Sequence, residues 1–140
     1  MPRAPLLFAL AALLPPPILC AQSEAGHVYE VSWYRAHPGV EVEYSEIYQD
    51  YLRPTLDEMV RRGDIVSYLD LVTSVGNIDE ATHVLLIEYP DWASLDGFRA
   101  RQDAASSEVL GRAYSEIWAE SVAPLRLHVK TQIYSASVEP

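Results

Sequence analysis

This chain of 140 residues is poor in cysteine and in positively charged residues. Its single cysteine, Cys20, lies close to the N-terminus, so a domain that begins beyond it has neither a disulfide nor a catalytic thiol. The 10 Lys and Arg residues are outnumbered by 20 Asp and Glu, which gives a net charge of -10. Because an acidic surface repels phosphate backbones and anionic lipid headgroups, we expect neither a nucleic-acid partner nor binding to a membrane surface.

The sequence also lacks the short motifs of several enzyme classes. It contains no Gly-x-Ser-x-Gly, no His-Glu-x-x-His, no Cys-x-x-Cys, no glycine-rich phosphate loop and no dinucleotide fingerprint. These absences argue against serine hydrolases, zinc proteases, thiol oxidoreductases and nucleotide-binding enzymes. His37 and Glu41 are close enough in sequence to share a metal, but two ligands do not make a site. We therefore expect no metal and no cofactor.

Residues 1–21 are predicted to be a secretory signal peptide. Arg3 supplies a positive start, and residues 6–14 form an apolar run that is too short to span a bilayer. The three prolines at 15–17 then break any helix. A cut after Ala21 removes this leader, and we therefore expect an exported protein, periplasmic or secreted.

Two alternatives at the end of the leader stay open. Cleavage after Ala25 is the first, because Ser23 and Ala25 are both small. The second is lipidation of Cys20, as in bacterial lipoproteins, but Leu19 is bulky where such a signal has a small residue. We expect a plain cleaved leader and no membrane attachment after it. The predicted organisation is then a leader at 1–21, a short segment at 22–26, one domain at 27–135 and a tail at 136–140.

Hydrophobic periodicity predicts the element order β-α-β-β-α-β in the domain. The predicted strands are 27–35, 65–73, 82–89 and 125–135, and the first helix is 40–62. The stretch 83–89 is apolar on both sides, which is typical of a strand covered on both faces and therefore central. With antiparallel neighbours, this order predicts an α+β, ferredoxin-like fold with the sheet order 4-1-3-2.

Local signals refine the two helical regions. Pro54 removes a backbone donor and predicts a kink near residues 50–53. Asp91 is suited to cap the helix that begins at Trp92, through the amides of the following turn. A small-residue segment at 104–106 predicts a break in that second helix.

Side-chain alternation divides the predicted sheet into two faces. The apolar face, predicted to lie under the helices, contains Tyr29, Val31, Trp33, Leu69, Leu71, Leu85, Ile87, Tyr89, Leu125, Leu127 and Val129. The mixed face contains Glu30, Ser32, Tyr34, Tyr68, Asp70, Val84, Leu86, Glu88, Arg126, His128 and Lys130. A solvent-facing sheet rarely carries so many aliphatic and aromatic residues, so a second copy is predicted to cover the mixed face. The predicted homodimer interface is Glu30, Tyr34, Tyr68, Val84, Leu86, Glu88, Arg126 and His128.

The chemistry that the sequence offers is limited to histidine and aromatic side chains. His83 opens the central strand and is the candidate general base or axial ligand, with a strand-end histidine bonded to the backbone as the alternative. The candidate ligand pocket between helices and sheet is lined by Trp33, Tyr29, Tyr44, Tyr51, Tyr89, Phe98, Tyr114 and Trp118. The alternative is that these aromatic residues simply fill the core.

Several segments together resemble the dimeric α+β barrel superfamily. They are Tyr-Glu-Val-Ser-Trp-Tyr before Pro-Gly and a long helix, Tyr-Leu-Arg-Pro at 51–54, Arg-Gly-Asp-Ile-Val-Ser-Tyr at 62–68 and Glu-Tyr-Pro-Asp-Trp at 88–92. That superfamily includes antibiotic-biosynthesis-monooxygenase-like, NIPSNAP-like and EthD-like families. The resemblance implies a two-sheet dimer and a small-molecule pocket between sheet and helices. Three hypotheses follow: a small-molecule-binding dimer, a cofactor-independent monooxygenase-like enzyme acting on a small aromatic substrate, or a structural or partner-binding protein without a pocket.

Overall fold

A computed structural model of the protein describes residues 26–73 and 81–135. The strands are β1 (Val28–Ala36), β2 (Ser67–Val72), β3 (His83–Tyr89) and β4 (Arg126–Ser135). The helices are α1 (Glu41–Ile47), α2 (Arg53–Arg62), α3 (Phe98–Leu110) and α4 (Tyr114–Ile117). The strands form one antiparallel sheet in the order β2-β3-β1-β4, which is the predicted order read in reverse. The predicted leader at 1–21 and tail at 136–140 lie outside the described residues.

The central position of β3 is confirmed, since it pairs with β2 on one side and β1 on the other. Leu85, Ile87 and Tyr89 are buried against the helices, where they join a core that includes Leu56 and Met59. The alternate residues of β3 point to the opposite face. In the part of the chain that the structure describes, no helix is long and apolar enough to cross a lipid bilayer.

The first helical region is irregular where the proline predicts it. A π-helical turn, Tyr48–Leu52, separates α1 from α2, and Pro54 stands in the first turn of α2. Proline has no N–H to donate to the carbonyl of Asp50, so the regular hydrogen bonding of an α-helix is interrupted at this point. The predicted kink near 50–53 therefore corresponds to a wide turn, and α2 ends at Gly63.

The second helical region begins as predicted and breaks elsewhere. The carboxylate of Asp91 accepts hydrogen bonds from the backbone N–H of Ser94 at 2.8 Å and from its hydroxyl at 2.7 Å, capping a 3₁₀ turn at Trp92–Leu95. The predicted break at 104–106 is wrong, because α3 continues to Leu110 and the chain turns at Gly111, whose φ is +72°. Ser106 does not cap a new helix, since its hydroxyl donates to the carbonyl of Arg112 at 2.8 Å.

The face assignment of the sheet is correct for β3 and wrong for β1 and β2. Residues paired across antiparallel strands lie on the same face, and Glu30 pairs with Ile87 while Ser32 pairs with Leu85. The polar set of β1 therefore lies under the helices beside the buried set of β3. In β2, Asp70 pairs with Leu85 and belongs to the same covered face.

Strand β4 contains an irregularity that reverses its faces. Trp33 pairs with Lys130 but Tyr34 pairs with His128, so Val129 is an extra residue without a partner in β1. A single inserted residue transfers every side chain beyond it to the other face. The bulge places Arg126 and His128 on the covered face, while Lys130 lies on the open one. Periodicity in the sequence does not reveal such a bulge.

These registers correct the predicted two-sheet interface. Val84, Leu86 and Glu88 lie on the open face of the sheet, as the homodimer prediction requires. The other five predicted interface residues lie on the face that the helices cover: Glu30, Tyr34, Tyr68, Arg126 and His128. Six residues predicted to lie under the helices are instead on the open face: Tyr29, Val31, Trp33, Leu69, Leu71 and Leu127. Alternation separates the two sets of side chains without saying which of them is covered, and the more apolar set is the open one.

Candidate functional site

A cavity of about 480 Å³ lies between the covered face of the sheet and the second helical region. Its size falls in the range of sites that enclose small organic molecules. The sheet, together with the turn before α2, contributes Glu30, Ser32, Tyr34, Leu52, Leu85, Ile87 and Arg126. The helical side contributes Phe98, Arg99, Gln102, Asp103, Tyr114, Ser115, Trp118 and Ala119.

The β1 side of the cavity carries a carboxylate that is held by hydrogen bonds. Glu30 accepts a hydrogen bond from the hydroxyl of Tyr89 at 2.9 Å and another from the hydroxyl of Ser32 at 3.2 Å. Ser32 is also 2.7 Å from the hydroxyl of Thr131 on β4. Burial, followed by the Glu30 charge, raises the pKa of Tyr89, so its hydroxyl remains a donor at neutral pH. The carboxylate is therefore fixed in orientation with its oxygens at the cavity wall.

The opposite end of the cavity carries a guanidinium group. Arg126 lies with its central carbon 3.6 Å from the ring centroid of Tyr34, and it donates a hydrogen bond of 2.6 Å to the hydroxyl of Tyr44. Stacking on an aromatic face holds the planar group in one orientation. Among residues 26–73 and 81–135, no ion pair joins Arg126 to a carboxylate.

His83 is buried behind this end of the cavity. The residue is only 3% exposed, and its ring packs edge-on against the ring of Tyr44 with 4.5 Å between the centroids. The Nδ1 atom is 2.9 Å from the hydroxyl of Thr82, whereas Nε2 has no hydrogen-bond partner in the described part of the chain. Burial, and to a lesser extent the charge of Arg126, lowers the pKa of His83, which keeps the ring neutral at pH 7.

No protein-family model matches the chain, and no curated protein matches it in sequence. Solved structures do match. SnoaB, a cofactor-independent oxygenase from Streptomyces nogalater, is 16% identical, with a TM-score of 0.53 over 82% of this chain and 97% of that one. A NIPSNAP-like domain protein from Burkholderia xenovorans is 19% identical, with a TM-score of 0.51 over 82% and 90%. A dimeric ferredoxin-like protein of unknown function from Thermobifida fusca is 13% identical, with a TM-score of 0.51 over 81% and 93%.

The chain has the ferredoxin-like α+β fold that these solved structures share. Both the order of its strands and the solved structures that it matches support this assignment. At such low identities the likeness concerns the fold, so the chemistry of the cavity has to be argued from the residues of this chain.

The aromatic residues predicted to line a pocket divide into three groups in this fold. Phe98, Tyr114 and Trp118 line the cavity. Tyr44 and Tyr89 are buried behind its wall, where they bond Arg126 and Glu30, and Tyr51 is half-buried outside the lining. Tyr29 and Trp33 lie on the open face, where Tyr29 donates to Glu88 at 3.0 Å and Trp33 lies under the ammonium of Lys130. Including these last two in the pocket is an error that follows from the reversed faces.

The polar residues of the site are the ones that alternation misplaces. Glu30, Ser32 and Tyr34 are predicted to lie on the face between two copies, and they line the cavity instead. One signal in the sequence indicates these residues: every second residue of this part of β1 is polar, and β1 pairs with β3, the most apolar strand of the sheet. His83, the predicted general base, is not among the residues that line the cavity. Its catalytic role stays a prediction that its position does not favour.

The buried imidazole predicts a specific dependence of stability on pH. Because the pKa of His83 is lower in the folded protein than its ordinary value of 6.5, unfolding takes up a proton below that value. The stability is therefore complete above about pH 6.5 and decreases as the pH falls through the folded-state pKa. We expect the free energy of unfolding, measured by urea titration, to fall between neutral pH and pH 5 in the wild type.

The variant His83→Gln isolates this effect, because it keeps a polar side chain that does not titrate. Its free energy of unfolding is expected to vary less over the same pH range. Burial raises the pKa of Asp70, and protonation of that carboxyl on acidification acts in the opposite direction. The comparison between the two proteins is therefore decisive, and equal pH slopes for both would contradict a buried neutral imidazole.

Proposed function

We propose that the protein is an exported homodimer that binds one small, flat and largely apolar molecule in the cavity of each protomer. The cavity carries this proposal, since eight of its fifteen lining residues are aromatic or aliphatic, and the other seven are polar or charged groups that can orient a ligand. Its existence argues against a structural protein without a pocket. Export rests on the leader-like composition of residues 1–21.

The open face of the sheet supports the assembly of two copies. Leu69, Leu71 and Leu127 are about half exposed there, at 51%, 50% and 44%. Val31, Trp33, Val84 and Leu86 lie beside them on the same face. So large an apolar patch is unusual on a monomer, and a second sheet would remove it from water. A structurally similar protein is itself described as dimeric and ferredoxin-like, which favours a second copy as the occupant.

The variant Leu69→Glu tests this assembly. If the open face is covered by a second copy, the new carboxylate is buried without a partner, which costs about 3–5 kcal/mol. We expect the dissociation constant of the dimer, measured by analytical ultracentrifugation, to rise by about 100-fold or more. Val42→Glu is the matched control, since Val42 is 74% exposed on α1 away from the sheet. A monomeric wild type at micromolar concentration, or equal constants for both variants, would refute the proposed interface.

Filling the cavity tests the binding function. Ala119 lines the cavity and is exposed, so Ala119→Trp places a large ring there without disturbing the core. For a neutral flat probe such as 2-naphthol, followed by fluorescence, we expect Ala119→Trp to weaken binding by about tenfold or more, because overpacking costs about 1–3 kcal/mol. Ala104→Trp on the exposed side of α3 should bind like the wild type. Equal affinities in all three proteins would place binding outside the cavity.

A cofactor-independent oxygenase is the second candidate function, and Glu30 is the observation that favours it. Its carboxylate lines the cavity, where it can accept a proton from the hydroxyl of an aromatic ligand and leave an electron-rich anion. The structurally similar SnoaB is described as a cofactor-independent oxygenase. In this scheme Glu30, rather than the buried His83, is the base.

Oxygen uptake with a dihydroxynaphthalene distinguishes the enzyme from a binding protein. For an enzyme, we expect the wild type to accelerate uptake over the rate without protein, and Glu30→Gln to lower that acceleration by about 100-fold or more. His83→Gln should retain most of the activity. A wild-type rate equal to the rate without protein would remove the oxygenase and leave the binding function in place.

A further inference from the structure

Arg126 has more hydrogen-bonding capacity than the described residues use. A guanidinium presents five N–H donors in one plane, and the one side-chain hydrogen bond of Arg126 among the described residues goes to Tyr44. Its group also lies over the rings of Tyr34 and Tyr44, and its charge interacts with the carboxyl of Asp70. The group lines the cavity and is half-buried, so a charge here is only partly screened by water. In the described part of the chain no carboxylate lies within 4.0 Å of this cation, and its charge acts on Asp70 only from a longer distance.

The cavity is also polar at its other end, and between the two ends Ser32, Leu85 and Ile87 line its wall. Glu30 and Tyr34 are four residues apart on β1, so their Cα atoms are about 13 Å apart along an extended strand, and the guanidinium is stacked on the Tyr34 ring. Leu85 and Ile87 form the floor between them, and Phe98 lies among the residues on the helical side. A ligand that satisfies both ends therefore needs an acceptor at one end, a donor at the other and a flat apolar body.

We infer that the cavity takes a hydroxylated aromatic carboxylate, with the carboxylate bound by Arg126 and the hydroxyl donated to Glu30. This inference rests on the proposed binding function and specifies the class of ligand. The planar fork of a guanidinium matches the two oxygens of a carboxylate.

The charge of the site favours an anion with a single negative charge. Among the lining residues, Glu30 and Asp103 balance Arg99 and Arg126, and the whole chain carries -10. A dianion would meet that surplus of negative charge on approach. Arg99 is exposed at the surface of α3, where water screens its charge, so Arg126 provides the selectivity.

A pair of probes that differ only in charge tests the assignment. We use 6-hydroxy-2-naphthoate and its primary amide, and titrate each into the full-length protein by isothermal calorimetry. We expect the wild type to bind the carboxylate at least about tenfold more tightly than the amide, because a hydrogen bond between charged groups is stronger than one to a neutral group. Equal affinities for the two probes would overturn the inference.

Variants then locate the selectivity. Arg126→Gln should abolish the preference for the carboxylate, and Arg126→Lys should retain part of it, because the charge stays while the planar fork is lost. Arg53→Gln is the control, since Arg53 is an exposed residue of α2 and its replacement removes the same charge away from the cavity. If Arg126→Gln lowers the melting temperature but leaves the ratio of the two affinities unchanged, Arg126 has a structural role alone and the inference fails.

The two levels of the proposal fail separately. Tight binding of both probes that disappears in Ala119→Trp would keep the cavity as the binding site and refute only its selectivity for an anion. Binding of neither the naphthoate, nor its amide, nor 2-naphthol would refute the binding function itself, and the preference of Arg126 with it. The wild-type comparison of the two probes needs no variant, so it decides the selectivity even if Arg126→Gln fails to fold.

Discussion

The register between β1 and β3 is the constraint on which the rest of the structure depends. By pairing Glu30 with Ile87 and Ser32 with Leu85, it sets two polar residues of β1 beside the most apolar residues of the sheet. A shift of one residue would bring Val31 and Trp33 under the helices and turn the carboxylate outward. The register thus decides both that a cavity has polar walls and that the apolar side of the sheet is open.

Polar groups on a covered face reduce stability unless they are hydrogen-bonded, and here two clusters hold them, while Nε2 of His83 and part of the Arg126 fork have no partner in the described part of the chain. Tyr89 and Ser32 supply hydrogen bonds to Glu30, while Tyr44 and Tyr34 hold Arg126. A core built for stability alone would place aliphatic residues at these positions and would leave no space of about 480 Å³. A cavity beside polar groups that hydrogen bonds hold in place is typical of a binding site.

The sequence predicts the fold better than the site, for physical reasons that particular residues show. The capping role of Asp91 and the irregularity before Pro54 follow from local signals, because each depends on neighbours in the chain. Strand order follows from the order of the elements and from the apolar run 83–89, which indicates a central strand. Which face of β1 is covered depends on its register with β3, and the bulge at Val129 depends on the pairing of β4. The assumption that the apolar set faces the core fails where a second apolar surface exists, and it exchanges the walls of the cavity with the open face.

Strand β3 contributes residues both to the cavity and to the open face of the sheet, which links the proposed assembly to the proposed binding. In β3, Leu85 and Ile87 form the floor of the cavity, while Val84 and Leu86, which alternate with them along the strand, lie on the open side. A second copy packed against the open side would restrict the motion of the strand that a ligand contacts from above. Because such coupling is reciprocal, a ligand that orders this floor would also favour the paired state. The cavity itself is lined within one protomer, so the coupling concerns the rigidity of the floor and adds no residue to the site.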